Sequence, residues 1–481
     1  MIVRNKFEQS RRQFLRTASL ASMAGFSVSP FLLELNSLAA MAQESSGSGY
    51  RALVCVYLQG GNDGHGTVIA TDPASFAAFT QARSGAPGLA YPKAELLPIV
   101  PKTSQDGRSF ALNPALPGVQ NLFKLGRAAV IANSGTLVVP ATKTQINNNS
   151  VQLPDSLFSH FDQTAAWQAI ASNLGSGEHV GWGGAVADAI EAMNMNSNSM
   201  FTCISTAGNA LFLAGETSFQ LNCTPAGPIP IYGMENPAFG QPQGSDVLQS
   251  ILTADESNLF AKEYGKVIQR SLQAQALLAK AMPPAGEGGV PNPPQYLDPT
   301  MKKLTDNPLA QSMQTVARII AGRSLLGVTR QIFYVQLGSF DTHNNQAQIH
   351  ASLLTQLGEA FEYFDGLMQN MGLGNQVTSF TISDFGRTLT CNSNGTDHGW
   401  GSHHFVVGGA VQGQDIYGQY PVVGVNQVND LGAGRLIPTT AVEQYAGTLA
   451  RWFGLSDSQI RTVFPNFGNF GSNPYLEFMA S

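Results

Sequence analysis

The chain has 481 residues, of which 43% are hydrophobic and only 12% charged, against a usual charged share of about 25%. That is ample material for a sizeable core, and it rules out a collagen, a coiled coil or a disordered tail. Lys plus Arg number 26 against 32 Asp plus Glu, with no basic run beyond Arg16, so a duplex-binding surface has little to be built from and no nucleic-acid partner is expected.

The run Ser10-Arg11-Arg12-Gln13-Phe14-Leu15-Arg16, a weakly hydrophobic stretch from Ala18 to Leu38 and the exit Ala40-Met41-Ala42 read as a twin-arginine export signal over residues 1–42, cleaved near Gln43. Gly25, Pro30 and Glu34 make that stretch a poor permanent membrane span. The partner expected for it is the twin-arginine export machinery, and the destination is the periplasm or the medium. Removing it takes away five positive and two negative charges, so the mature chain moves from −6 to −9. That route carries folded proteins, which suits a chain that must acquire a metal before leaving the cytoplasm. Of the four cysteines, Cys203 and Cys223 flank an apparent hairpin and are placed to pair in an oxidising compartment, whereas Cys55 lies inside an apolar strand. None has CxxC spacing, which removes zinc-ribbon and thioredoxin-type readings.

After a linker at 43–50, Arg51 to Leu58 (RALVCVYL) is a buried strand ending in the turn Gly60-Gly61-Asn62-Asp63-Gly64. A further strand is expected at Ala128 to Ala132. The middle, about 195–305, has Pro/Gly-rich patches around one long helical pattern from Asp246 to Met282 and reads as a cap or insertion. Gln331 to Leu337 then gives a second strand-and-turn unit ending in Asp341-Thr342-His343, and Gln376 to Ser383 gives a third ending in Asp384-Phe385-Gly386-Arg387. Between them Leu353, Leu354, Leu357, Phe361, Phe364, Leu367 and Met368 share one helical face, so the unit is βαβ. Another strand is expected at His404 to Gly409, and a last helix from Thr440, with Thr440 and Glu443 as a capping box, to Gly454. The fold class expected is α/β: one domain over 51–481, with a mostly parallel central sheet and helices on both faces.

In such sheets ligands sit beyond the carboxyl ends of the strands. Asp63, Asp341 and Asp384 each follow a strand by a few residues, and three carboxylates brought together repel unless a cation holds them. Five of the eight histidines, His343, His350, His398, His403 and His404, follow Asp341 closely. Asp with His suits borderline metals such as zinc, manganese or iron. Any one of these aspartates is equally suited to a turn. His403 and His404 point to opposite faces of their strand, so at most one lines a site; His350 reads as an exposed residue near a helix start. Ser159, in Phe158-Ser159-His160-Phe161-Asp162, reads as a nucleophile or as an N-cap, and His160 as a group that positions substrate or packs. Arg387 reads as a clamp on a tetrahedral anion or as the partner of a local carboxylate. Trp182 and Trp400 sit in Gly-rich loops that line a pocket or merely pack.

The twin-arginine start, LQGGNDG, SHFDQTAAW, GSFDTHNNQ, SDFGRT, NGTDHGWGSHHFVVGG, EQYAGTLARWFGL and VFPNF together resemble the bacterial family catalogued as domain of unknown function 1501, which is similar to the alkaline phosphatase and sulfatase superfamily. The resemblance runs from about residue 50 to 470 and is weakest in the 195–305 insertion. It implies an alkaline-phosphatase-like fold, a divalent metal (zinc, manganese, magnesium or calcium) and metal ligands at Asp63, Asp341, Asp384 and His398, with His343 added by its position. It also implies a nucleophile near Ser159. Two departures stand out: Asn345 occupies the place where the superfamily has a histidine after its middle aspartate, with His343 nearer instead, and Phe385 replaces a histidine beside Asp384. A site of Asp341, His343 and His398, with a poorer one at Asp63 and Asp384, follows from these. The sulfatase cysteine motif is missed at Cys223-Thr224-Pro225-Ala226-Gly227, where Gly227 stands in place of arginine.

Two functions follow as expectations. One is a metal-dependent hydrolase of small anionic phosphate or sulfate esters, with Ser159, His160 and Arg387 at the reacting group. The other is a non-catalytic binding or scaffold protein that recognises a cell-envelope component and retains the fold and one metal. A Ser-His-Asp hydrolase is disfavoured by the lack of a G-x-S-x-G elbow.

Overall fold

A computed structural model of the chain describes residues 49–169, 180–229, 244–254 and 258–480. The expected export signal over 1–42, and all of the linker before Gly49, lie outside the described residues. The framework is a ten-stranded sheet. Its strands are β1 (Arg51–Leu58), β2 (Ala128–Gly135), β3 (Cys203–Ser205), β4 (Gln220–Thr224), β5 (Gly227–Pro228), β6 (Arg330–Leu337), β7 (Val377–Ser383), β8 (Ser402–Val407), β9 (Asp415–Tyr417) and β10 (Thr440–Ala441). The order is β9-β2-β8-β7-β1-β6-β3-β4-β5, with β10 against β2. The central strands β7, β1 and β6 are parallel and end level, Leu58 lying opposite both Leu337 and Ser383. β8 runs antiparallel between β7 and β2, so its start, not its end, lies at the same edge as those three carboxyl termini.

Side chains of β1 alternate between two cores, as a strand buried on both faces requires. Ala52, Val54, Val56 and Leu58 enter one core, formed with helices Pro308–Ala321 and Gln346–Asn370. Leu53, Cys55 and Tyr57 enter the other, covered by helices Trp182–Ala192 and Val442–Phe453. The α/β class and its mostly parallel sheet are therefore as expected, and the strands at 51, 128, 330, 377 and 402 stand where apolar periodicity placed them.

Several local expectations are corrected. Cys203 and Cys223 do not flank a hairpin: β3 and β4 are parallel, with Cys203 opposite Gln220. Cys223 is three residues farther along, roughly 10 Å at the rise of a strand, beyond disulfide reach, and both thiols are free and buried. These strands extend the main sheet, so the first part of the 195–305 stretch belongs to the framework. The long helical pattern is two helices, Gly244–Leu252 and Leu259–Ala281, the second started by the Asn258 side chain. The last helix begins at Val442, because pairing with β2 holds Thr440 and Ala441 extended. Gln444, not Glu443, accepts the capping bond from the Ala441 N–H, and Glu443 turns inward. His350 is buried rather than exposed, its Nε2 bonded to Asn62 Oδ1. Among the described residues no helix is long and apolar enough to cross a membrane.

Candidate metal centre

The loops after β1, β6 and β7, the approach to β8 and the start of helix His160–Gln168 meet at one edge of the sheet. The glycines of the first loop set the spacing. Gly60 has φ +115°, and a Cβ there would lie 2.3 Å from the Asp341 nitrogen; at Gly61, φ +87°, it would lie 2.5 Å from the Phe385 ring. Only glycine permits this approach, which fixes Asp341 and Phe385 against the loop. Ser339, at φ +75°, adds a strained turn just before Asp341.

Asp341 stands among three imidazoles. Its Oδ1 lies 3.0 Å from His343 Nε2 and 3.3 Å from His398 Nε2, and its Oδ2 lies 3.4 Å from His160 Nε2. The opposite nitrogen of each ring faces an acceptor. His160 Nδ1 lies 2.7 Å from Asp384 Oδ2, His398 Nδ1 lies 2.8 Å from the Phe158 carbonyl, and His343 Nδ1 lies 3.3 Å from Asp397 Oδ1. A carbonyl carries no proton, so His398 Nδ1 must donate; the carboxylates draw the same tautomer from His160 and His343. Three Nε2 lone pairs are thereby aimed at one carboxylate. His343 and His398 bring two of them within 2.9 Å of each other, and the buried Nε2 of His160 has no hydrogen-bond partner among the described residues. Burial also holds the His398 pKa below its ordinary value, helped by the His160 and Arg387 charges. Burial alone would raise Asp341, but the Arg387 bond and charge, with the charges of His343 and His160, bring it below the ordinary value.

Such an arrangement can hold a cation. Ligand atoms of His160, Asp341 and His398 all lie within 4.8 Å of one another, and the separations of 2.9 to 3.4 Å compare with about 3.3 Å between tetrahedral ligands each 2.0–2.1 Å from zinc. Donation of the remote nitrogen to a carboxylate or carbonyl is the usual way a protein orients a ligating histidine. The donor set fits one borderline divalent metal. Phe385, where an imidazole was expected, packs its ring against His160 and His398 at centroid distances of 4.8 and 4.6 Å and shields them from water.

The structure thus brings together Asp341, His343 and His398, and adds His160, read from sequence only as a positioning group. Asp384 is in contact with the cluster through His160. It also accepts from Tyr57 Oη at 2.7 Å and Gly60 N–H at 2.9 Å, so its oxygens are taken up in orienting that ring. Asp63 is held elsewhere, gripped by Arg83 at 2.7 and 2.9 Å with Gln346 Nε2 at 2.7 Å; it faces donors and is no ligand. Arg387 is buried, bonded to the carbonyls of Gly60, Gly61 and Thr396 and to Asp341. It steadies the carboxylate, spends four of its five N–H donors on these bonds and is fully buried, so it is not presented to a substrate anion. Ser159 caps its helix, accepting from the Asp162 N–H. His403 and His404 are buried away from the cluster, stacked on Tyr420 and lying against Trp167. Trp400 and Trp182 are both buried. Tyr57, Arg83 and Gln346 escaped the sequence reading: Tyr57 lies in an apolar strand, Arg83 looks like an ordinary helix-end cation, and neither carries a spacing signature.

A pocket of about 790 Å³ opens onto the cluster, lined among others by Tyr57, His160, Phe161, Thr164, Asp341 and Asp384. Nearly half of Asp341 is exposed there.

The fold and site define an α/β protein with a cluster of histidines around an aspartate, a candidate metal site, at the carboxyl edge of a parallel sheet. The chain belongs to the family described as protein of unknown function (DUF1501), whose model matches residues 50–464. No curated protein matches the chain. Among solved structures it is similar to Ps i-CgsB, with 9% identity, 89% of this chain and 77% of that one covered and a TM-score of 0.35. For PsFucS1 sulfatase from Pseudoalteromonas sp. the values are 9%, 90%, 73% and 0.33, and for alkaline phosphatase from the Antarctic bacterium TAB5 they are 11%, 75%, 92% and 0.24. At these scores the likeness is remote, and chemistry must come from the site itself.

Proposed function

We propose that this is an exported metal-dependent hydrolase of small phosphate or sulfate esters. The observation that carries the reading is the set of three Nδ1-anchored imidazoles presenting Nε2 to Asp341 at the floor of an open pocket. His160, Asp341 and His398 would hold the ion, with His343 beside Asp341 and His398. When bound, a divalent metal supplies Lewis acidity toward the ester and lowers the pKa of water.

The chain's own residues do the positioning. Asp384 keeps the proton on His160 Nδ1, and Tyr57 and the Gly60 N–H keep Asp384 in place. Arg387 fixes Asp341. Phe385 keeps water from the inner faces of two imidazoles. The ester would occupy the pocket beside Phe161 and Thr164, and hydrolysis adds water across the P–O or S–O bond to release an alcohol and an inorganic anion.

A second reading, a metal-bearing protein that binds an envelope component without turnover, is favoured by one observation: the Ser159 hydroxyl and the Arg387 guanidinium are both engaged within the protein. The test is metal analysis of the exported protein together with turnover of aryl phosphate, phosphodiester and sulfate esters by wild type, Asp341→Asn and Ser159→Ala. One bound metal per chain and turnover lost in Asp341→Asn is the expected result. Turnover surviving Ser159→Ala assigns the attack to water, and its disappearance assigns it to Ser159. Bound metal with no turnover of any ester favours the second reading.

A further inference from the structure

On the other side of helix His160–Gln168 lies a second cavity of about 120 Å³, which shares only Asp155 with the pocket beside the cluster. Thr164 and Ala165 of that helix line the pocket beside the metal cluster, whereas Ala166 lines this cavity. Its wall mixes apolar residues, Leu137, Ala166, Trp182 and Phe464, with polar ones, Thr136, Gln152, Asp155 and Glu443. Glu443 is only 5% exposed. Its Oε1 accepts from Asn466 Nδ2 at 3.0 Å, while its buried Oε2 has no partner among the described residues. Asp155 is the other titratable group on the wall, and the lining holds no Lys, Arg or His. A buried carboxylate oxygen without a donor is costly unless something supplies one.

We propose that this cavity is a binding site for a small primary amine, whose ammonium bonds to Glu443 while its short apolar body lies against Trp182 and Phe464. The room is comparable to an engineered apolar cavity of about 150 Å³ that takes up benzene, so a ligand on the order of half a dozen heavy atoms fits. The aromatic walls favour a cation as well as an alkyl chain, and ammonium supplies the donors that Oε2 lacks. Burial raises the Glu443 pKa to about 7, the direction expected of a carboxylate left without its counter-charge. The site is distinct from the metal cluster and stands whether or not the protein hydrolyses esters.

The test is calorimetric titration of the full, metal-loaded chain with n-butylammonium chloride and, separately, with n-butanol, at constant ionic strength. Saturable binding of the amine at one site is expected, with the alcohol weaker by about tenfold or more, since its single O–H donor carries no charge to pair with the carboxylate. Glu443→Gln, which keeps the shape and removes the charge, is expected to weaken the amine by about the same factor. Ala166→Leu, which fills the cavity, is expected to abolish it. Equal affinity for amine and alcohol, absence of saturable binding, or undiminished binding in Glu443→Gln would overturn the proposal. The comparison of the two ligands on the wild type decides the matter even if a variant fails to fold.

Discussion

Asp63 and Asp341 follow neighbouring parallel strands through similar short turns, yet they sit in opposite surroundings. Asp63 is buried and faces only donors: both arms of Arg83, the Gln346 amide and the Gly66 N–H. Asp341 is half exposed and faces three imidazole lone pairs with Arg387 as its one donor. In the first, a guanidinium supplied by the chain is the counter-charge. In the second, Arg387 supplies a guanidinium to one oxygen, and three imidazole nitrogens crowd the rest of the carboxylate, the arrangement we propose a metal completes. A strand-terminal aspartate therefore does not announce a metal; its neighbours decide.

Breaking the Asp63 side should have the largest effect. Arg83→Met leaves a buried carboxylate unpaired and is expected to cost about 3–5 kcal/mol in urea unfolding. Burial raises the Asp63 pKa, but the Arg83 charge and bonds outweigh it and hold the carboxyl below the ordinary range. That contribution is present above an unfolded value near 3.8 and disappears in acid. A variant as stable as wild type would mean that the pair contributes nothing and that the contrast with Asp341 is empty.

Glu443 sharpens the comparison as a carboxylate given neither metal nor guanidinium. Its pKa is raised by burial, against the opposing Asn466 hydrogen bonds, from 4.5 to about 7. The folded chain then holds this proton longer than the unfolded chain. Folding takes up a proton in that window, so stability falls as pH rises from 4.5 to about 7. The loss is roughly 3 kcal/mol at most. Unfolding measured across this range in wild type and Glu443→Gln should show the slope only in the former.

On the Asp341 side, zinc in excess should raise the unfolding free energy by about 2.7 kcal/mol at a hundredfold excess over Kd, and chelator should reverse it. Asp384→Asn, which weakens the support of His160 Nδ1, is expected to lower metal affinity by roughly 10–100-fold in a competition titration. Unchanged affinity would remove His160 from the ligand set. The smallest effect belongs to Ser159→Ala, which should cost about 1 kcal/mol as a lost cap and leave metal affinity as it was.

Much of this molecule can be read from its chain. Strands such as RALVCVYL are apolar along their whole length, the helix after Asp341 repeats its apolar positions at helical spacing, and the loops that follow are glycine-rich. These patterns specify parallel strands, a crossover helix and the edge at which ligands gather, because burial acts on every residue of an element in turn. They also brought Asp341, His343 and His398 to one place. What they leave open is each side chain's partner. Arg83 reaches Asp63 across 20 positions, Asp384 reaches His160 across 224, and Glu443 turns inward because Thr440 is held against a strand far earlier in sequence. No local period encodes such meetings. Periodicity decided where the strands end and which residues lie beyond them; only the tertiary structure decided which aspartate meets donors and which meets lone pairs, because charge compensation depends on distances through space between groups far apart along the chain.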